Sequence, residues 1–153
     1  GGGSVAAEIL GLEDSEVPRP DFSTAPALFD ALYQAIQAGY VASCHDLSEG
    51  GLAVGLAEMV FGSDFGCRVD LQRIPGADGM PTSATMFAET PTRFVLEDSL
   101  DHLDAVAELF RTLPWATFGE VLDNGGKMQL HSGDDLVHQY TATELLHANG
   151  ASA

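Results

Sequence analysis

Cysteine is scarce in this sequence, tryptophan occurs once, and only six bases are found in 153 residues. Cys44 and Cys67 lie inside apolar segments with no partner at metal-ligand spacing, so neither a disulfide framework nor a zinc site is supported. Both are read as reduced, buried and structural. Long apolar runs are missing too: none approaches the ~18 residues needed to span a bilayer, and no early segment joins a basic stretch to an apolar core. A cytoplasmic location is the default expectation. The bases Arg19, Arg68, Arg73, Arg93, Arg111 and Lys127 face 23 acids, for a net charge of −17. Such a chain repels nucleic acid and anionic membrane, so neither is an expected partner. The acids are spread along the chain, which reads as solvated faces and fits an acidic, salt-adapted proteome equally well.

What is present is a complete apolar complement. At 45% apolar residues the chain can bury one core without covalent staples. Gly1 to Ser4 reads as a flexible arm entering the domain, Val5 to Leu10 as a short helical turn closed by Gly11, and Glu13 to Asp21 as an extended connector. Residues 1–25 are thus arm and connector, and 26–153 the domain. Pro26 fits a first helical turn, with Leu28, Phe29, Leu32, Tyr33 and Ile36 at helical spacing up to Gly39. A short buried strand, Tyr40 to Cys44, follows. Gly50 to Phe61 reads as a second helix closed by Gly62, with Leu52, Leu56, Met59 and Val60 on its apolar side.

Phe65 to Leu71 alternates like a half-buried strand, Pro75 to Pro81 is a loop, and Phe94 to Leu96 is a further strand. Ser99 can cap a helix whose Leu103, Val106, Ala107 and Phe110 face inward. Trp115 to Leu122 and Lys127 to His131 flank Asp123-Asn124-Gly125-Gly126, which predicts a hairpin. Leu136 to Tyr140 and a helix from Thr143 to His147 end the chain. Interleaved helices and strands with a tight turn predict an α+β fold with a mixed sheet.

Two polar clusters stand out. His45-Asp46-Leu47-Ser48-Glu49-Gly50-Gly51 lies between a strand and a helix start. Ser48 can accept the first free helix N–H groups, and Gly50 and Gly51 leave the backbone bare for a phosphate, a carboxylate or another chain to approach. The alternative is a capped helix with tight glycine packing. His45 and Asp46 are adjacent on a strand and point to opposite faces, so they serve different contacts rather than a catalytic dyad. The second cluster holds Glu89, Thr90 and Arg93 around Pro91, before the strand that begins at Phe94. Arg93 suits a phosphate or fixed carboxylate, or else pairs with Glu89. No catalytic nucleophile and no metal set is assigned; His102, His131, His138 and His147 read as surface groups.

Together these clusters carry a resemblance. His45 to Met59 resembles the His-Asp-Val-Ser-Asp/Glu-Gly-Gly-Leu-Ala-Val-Ala-Leu-Ala-Glu-Met block of phosphoribosylformylglycinamidine synthase, and Met86 to Val95 is similar to that family's Leu-Phe-Ser-Glu-x-x-x-Arg-Phe-Val block. Gly2-Gly3-Ser4 resembles the Gly-Gly-Ser that leads out of its nucleotide-binding domain. Ser48-Glu49-Gly50-Gly51 separates this family from aminoimidazole ribonucleotide synthetase, thiamine-phosphate kinase and the hydrogenase-maturation relative, which write the turn differently. The resemblance implies the C-terminal domain of the family's second half: a three-layer, mixed-sheet α+β domain with a ferredoxin-like core. It implies an ATP-dependent ligase reaction in purine biosynthesis, with ATP and magnesium bound mainly by domains outside these 153 residues, and no cofactor bound by this part. Implied partners are the family's N-terminal nucleotide-binding domain and a glutaminase subunit or domain. This part alone is expected to be inactive, with His45, Asp46, Ser48, Glu49, Gly50, Gly51, Glu89, Thr90 and Arg93 serving ligand or interdomain contacts. Pro91, where the family's first half has a hydrogen-bonding amide, weakens direct substrate contact. The competing readings are a non-catalytic interaction or dimerisation module, and the equivalent domain of aminoimidazole ribonucleotide synthetase, selenophosphate synthetase or the hydrogenase-maturation type.

Overall fold

A computed structural model describes residues 4–11, 16–61 and 63–148. In chain order the elements are α1 (Val5–Leu10), α2 (Ala25–Gln37), β1 (Val41–Asp46), α3 (Gly51–Val60), β2 (Phe65–Asp70), α4 (Thr82–Phe87), β3 (Phe94–Asp98), α5 (Leu103–Phe110), β4 (Gly119–Asp123), β5 (Lys127–Ser132), β6 (Asp135–Thr141) and α6 (Ala142–Ala148). Short 3₁₀ turns at Leu71–Arg73 and Leu100–His102 lead out of β2 and into α5. The fold is α+β, with its strands divided between two sheets. β1 and β3 form an antiparallel pair, and the other sheet has the order β4-β2-β5-β6. That sheet is mixed: β2 runs parallel to β5, while β2–β4 and β5–β6 are antiparallel.

Side-chain alternation along β3 sorts the layers. Val95 faces a core built from Leu52, Leu56 and Val60 of α3, Cys67 and Val69 of β2, and Met128 and Leu130 of β5. Its neighbours Phe94 and Leu96 face the other way, against Ala31, Leu32 and Ala35 of α2 and Val106 and Phe110 of α5. Helix α3 is therefore sandwiched between the two sheets, and α2 and α5 cover the far side of the β1–β3 pair. Leu52, Met128 and Val69 are the large side chains shut off most fully from solvent, each contributing roughly 1.5–3 kcal/mol by burial.

Several expectations are corrected. The turn at Asp123 to Gly126 does not close a hairpin, because β2 lies between β4 and β5 and the turn passes over its end. The crossing is held by a Gly126 N–H bond to the Asp64 carbonyl, 2.8 Å, and by Lys127 N–H donating to Asn124 Oδ1, 2.9 Å. Gly66 makes room: a Cβ there would strike Lys127 and the Asn124 side chain. The real hairpin joins β5 to β6 through Gly133. Strand β4 starts at Gly119 rather than near Trp115.

Strand β1 extends to Asp46 and is half-exposed rather than buried, and Cys44 is exposed on it. Cys67 is buried as expected, with its thiol pushed up to about 11 by burial. Helix α2 buries Ala31, Leu32 and Ala35, whereas Phe29, Tyr33 and Ile36, which share the helical spacing of its apolar residues, are exposed. Helix α4, six residues long, is an element that the apolar pattern does not predict. Ser4 caps α1 rather than sitting in a flexible arm: it is buried, and its hydroxyl accepts from the Ala7 N–H, 3.1 Å. Gly1 to Gly3, residues 12–15 of the connector, Gly62 and residues 149–153 lie outside the described residues.

Candidate functional site

The polar clusters, about forty residues apart in sequence, meet in space. β1 brings the chain from His45 to Asp46, the turn at 47–50 reverses it, and α3 leaves at Gly51. Opposite runs the segment from α4 to β3. Leu47 N–H donates to the Arg93 carbonyl, 2.9 Å, and Gly50 N–H donates to Glu89 Oε1, 2.9 Å. Arg93 Nη1 donates to the Ala88 carbonyl, 3.2 Å, tying the second segment to itself. Burial depresses the guanidinium's affinity for its proton. Thr90 is half-buried in the same loop, and Thr92 holds a φ of 60°, a left-handed backbone unusual for threonine.

The two glycines do different things. Gly50 is the residue before α3, with φ 74° and no side-chain cap bond from its own neighbours. Glu89 supplies that service from the other segment, placing a carboxylate where an external anion would otherwise sit. At Gly51, with φ +59°, an added Cβ would lie 2.7 Å from the Ala88 carbonyl oxygen and 3.0 Å from that of Met86. The bare backbone is therefore filled by this chain's own loop. That geometry is a clasp between two segments.

Ser48 is not the helix cap. Its hydroxyl donates to the Asp46 carboxylate, which holds the Asp46 carboxyl below the usual range, and both side chains are exposed beside the exposed Glu49. His45 and Asp46 do point to opposite faces. His45 turns toward α3, with Nε2 2.9 Å from Glu58 Oε2 and Nδ1 2.6 Å from the Asp46 carbonyl oxygen. Both ring nitrogens are thus engaged by oxygens of the chain itself, which suits a strut between β1 and α3 better than a proton carrier. Glu58 belongs to the matching sequence block without a role of its own there; seven residues past Gly51, it faces β1 through helical geometry. The contribution of the Met86 and Ala88 carbonyls has no signal in sequence, because any residue supplies a carbonyl.

Among the described residues no group of three or more His, Cys, Asp or Glu side chains is placed to hold a metal. No described helix is long and apolar enough to cross a membrane.

Comparison with known proteins gives the family and the fold. The model of the family described as AIR synthase related protein, C-terminal domain, matches residues 1–131. The phosphoribosylformylglycinamidine synthase subunit PurL of Alkaliphilus metalliredigens is 32% identical over 133 residues, covering 86% of this chain and 17% of that protein. The corresponding subunit of Methanopyrus kandleri is 31% identical over 159 residues, covering 99% of this chain and 22% of its own length. The chain therefore spans about a fifth of the length of these curated relatives. Among solved structures, Thermotoga maritima PurL complexed with FGAR superposes with a TM-score of 0.76 at 21% identity, over 92% of this chain and 24% of that one. PurLQS from the same organism gives 0.75 at 21%, over 87% and 23%. At these identities the structures establish the shared fold.

Proposed function

The chain belongs to the AIR synthase related protein, C-terminal domain family, and we propose that it works as such a domain within a phosphoribosylformylglycinamidine synthase. The single observation that carries this reading is the clasp. The two blocks that mark the amidine synthase in sequence are the two segments that grip each other at Gly50–Glu89 and Gly51–Ala88. The complete enzyme would convert formylglycinamide ribonucleotide, ATP, glutamine and water to the amidine, ADP, phosphate and glutamate. Residues 1–25 would form the arm and connector, and 26–153 the domain.

On this reading the chain's own residues shape and brace one wall of the assembly. Glu89 occupies the start of α3, and His45 is held between two oxygens, so neither is free for the reacting centre. ATP and magnesium would be held mainly by a nucleotide-binding domain outside this chain, and a glutaminase subunit or domain would supply ammonia. The equivalent domain of a related synthetase is the second reading; the Ser48-Glu49-Gly50-Gly51 turn favours the amidine synthase.

The test is amidine formation by the complete protein in the presence of glutaminase or free ammonia. ATP-dependent product is expected from the complete protein and none from this chain alone. His45→Ala should lower turnover by less than the ~100-fold typical of losing a general base. Abolished turnover in a correctly assembled His45→Ala enzyme would place the turn at the reacting centre.

A further inference from the structure

Helix α2 carries a second apolar stripe that the described residues leave about half exposed. Phe29, Tyr33 and Ile36 recur at i, i+4 and i+7 and are 49%, 62% and 45% exposed, and Phe22, just before the helix, is 82% exposed. The stripe does not stop at the helix. Phe29 meets Phe94 of β3 edge to face, with ring centroids 5.9 Å apart, and Phe94 is paired across the strands with Asp46. Through Phe29 the stripe reaches the edge of the β1–β3 pair, where Asp46 stands opposite Phe94. At ~200 Å² for each large side chain, Phe29, Tyr33 and Ile36 together present on the order of 300 Å², over a third of what one partner buries in a stable interface.

The surrounding charge selects the occupant. Asp30 lies on the same helix, Asp46 at the end of the stripe, and neither α2 nor β1 carries a Lys or Arg. A second copy of this chain would bring a net charge of −17 against the same charge, acid against acid. We propose that this stripe docks against a neighbouring region of the same synthase, whose apolar ridge is bordered by Lys or Arg. The proposal rests on the synthase reading above and names a contact which that reading leaves unspecified. Phe29 and Tyr33 supply large, stiff contact area at its centre, and the aspartates fix the approach at its edge.

Hydroxyl-radical footprinting of the complete synthase tests this, with each rate normalised to the same residue in the unfolded protein. Leu136 on β6 is 53% exposed, close to the values of the stripe, and serves as the internal reference. Phe29, Tyr33 and Ile36 should react about tenfold more slowly than Leu136, as befits the dry centre of an interface. Equal normalised rates would overturn the proposal, as would protection that vanishes on dilution to a monomeric synthase, since a second copy would then be the occupant. Tyr33→Lys should raise Phe29 reactivity more than Tyr33→Glu does. If the glutamate exposes Phe29 as much or more, the basic border is wrong. A protected stripe in a complete protein that forms no amidine would retain the docking surface and remove the synthase reading.

Discussion

At Gly51 and at Gly66 a second stretch of backbone passes where a side chain would be, but only Gly51 also holds a positive φ. Gly51 starts a helix and needs glycine twice, for its left-handed backbone and for the Ala88 and Met86 carbonyls above it. Gly66 sits inside strand β2 with ordinary backbone geometry and needs glycine once, for the turn from Asn124 to Lys127 that crosses it. Gly51 lies in a recognisable motif, whereas Gly66 looks like any glycine in a strand. The conspicuous site combines a conformational demand with a steric one; the inconspicuous site is purely steric, yet it sets the order of the larger sheet.

Substitution can separate those two demands. Gly66→Ala should have the largest effect, about 4 kcal/mol, at the upper end of overpacking, because the obstructing atoms include fixed backbone at Lys127. A urea melt that shifts by less than a quarter of that would show that the crossing can slide aside. Gly51→Ala should follow at about 3 kcal/mol, roughly 1 from φ and the rest from crowding. Gly79, with φ +72° and nothing within 4 Å of an added Cβ, isolates the first part, so Gly79→Ala should cost about 1 kcal/mol. Equal losses for Gly51→Ala and Gly79→Ala would mean that the clasp gives way without resistance.

The asymmetry between these glycines also explains what sequence conveyed. The α+β class, the elements α2, α3 and α5, and the pairing of polar clusters with element ends were legible, because they rest on local periodicity and on a resemblance carried by contiguous residues. The order of the larger sheet was not. Asp123-Asn124-Gly125-Gly126 has the same local chemistry whether it joins paired strands or steps over a third, and the deciding residue, Gly66, lies nearly sixty positions earlier. On α2 the apolar arc is wider than the core needs, so period alone does not tell which edge faces inward; small Ala31 and Ala35 take the tight contact and leave Phe29 and Tyr33 outside. Within the site, the strand period places His45 and Asp46 on opposite faces, but the Glu89 contact to Gly50 spans 39 residues and has no local trace.

That contact gives the next prediction. Glu89→Ala removes a charged acceptor from the half-buried Gly50 N–H and should destabilise the domain by about 1.5–2 kcal/mol. Glu89→Gln keeps an oxygen in reach and should recover about half of the loss, as a neutral acceptor replaces a charged one. A thermal melt unchanged by Glu89→Ala would mean that water or a bound anion serves the helix start equally well, returning the turn to the ligand-site reading.

The smallest effect belongs to Ser48, and its pH dependence distinguishes two structures of the same turn. A serine capping α3 would stabilise by accepting a backbone N–H, a bond indifferent to acid, and Ser48→Ala would then lower the melting temperature equally at every pH. Here the hydroxyl donates to the Asp46 carboxylate and holds that carboxyl below its ordinary value. A carboxyl whose folded pKa is depressed contributes stability that is present above the unfolded value, ~3.9, and is lost as pH falls through the folded value. The difference between Ser48→Ala and the parent should therefore be small near neutrality, shrink as the pH falls below about 4, and disappear once Asp46 is protonated in both states. An NMR titration of the Asp46 carboxyl should show its midpoint moving up toward the ordinary value in the Ser48→Ala protein. A pH-independent loss with an unmoved midpoint would restore Ser48 to the helix cap and leave Glu89 without its place at the start of α3.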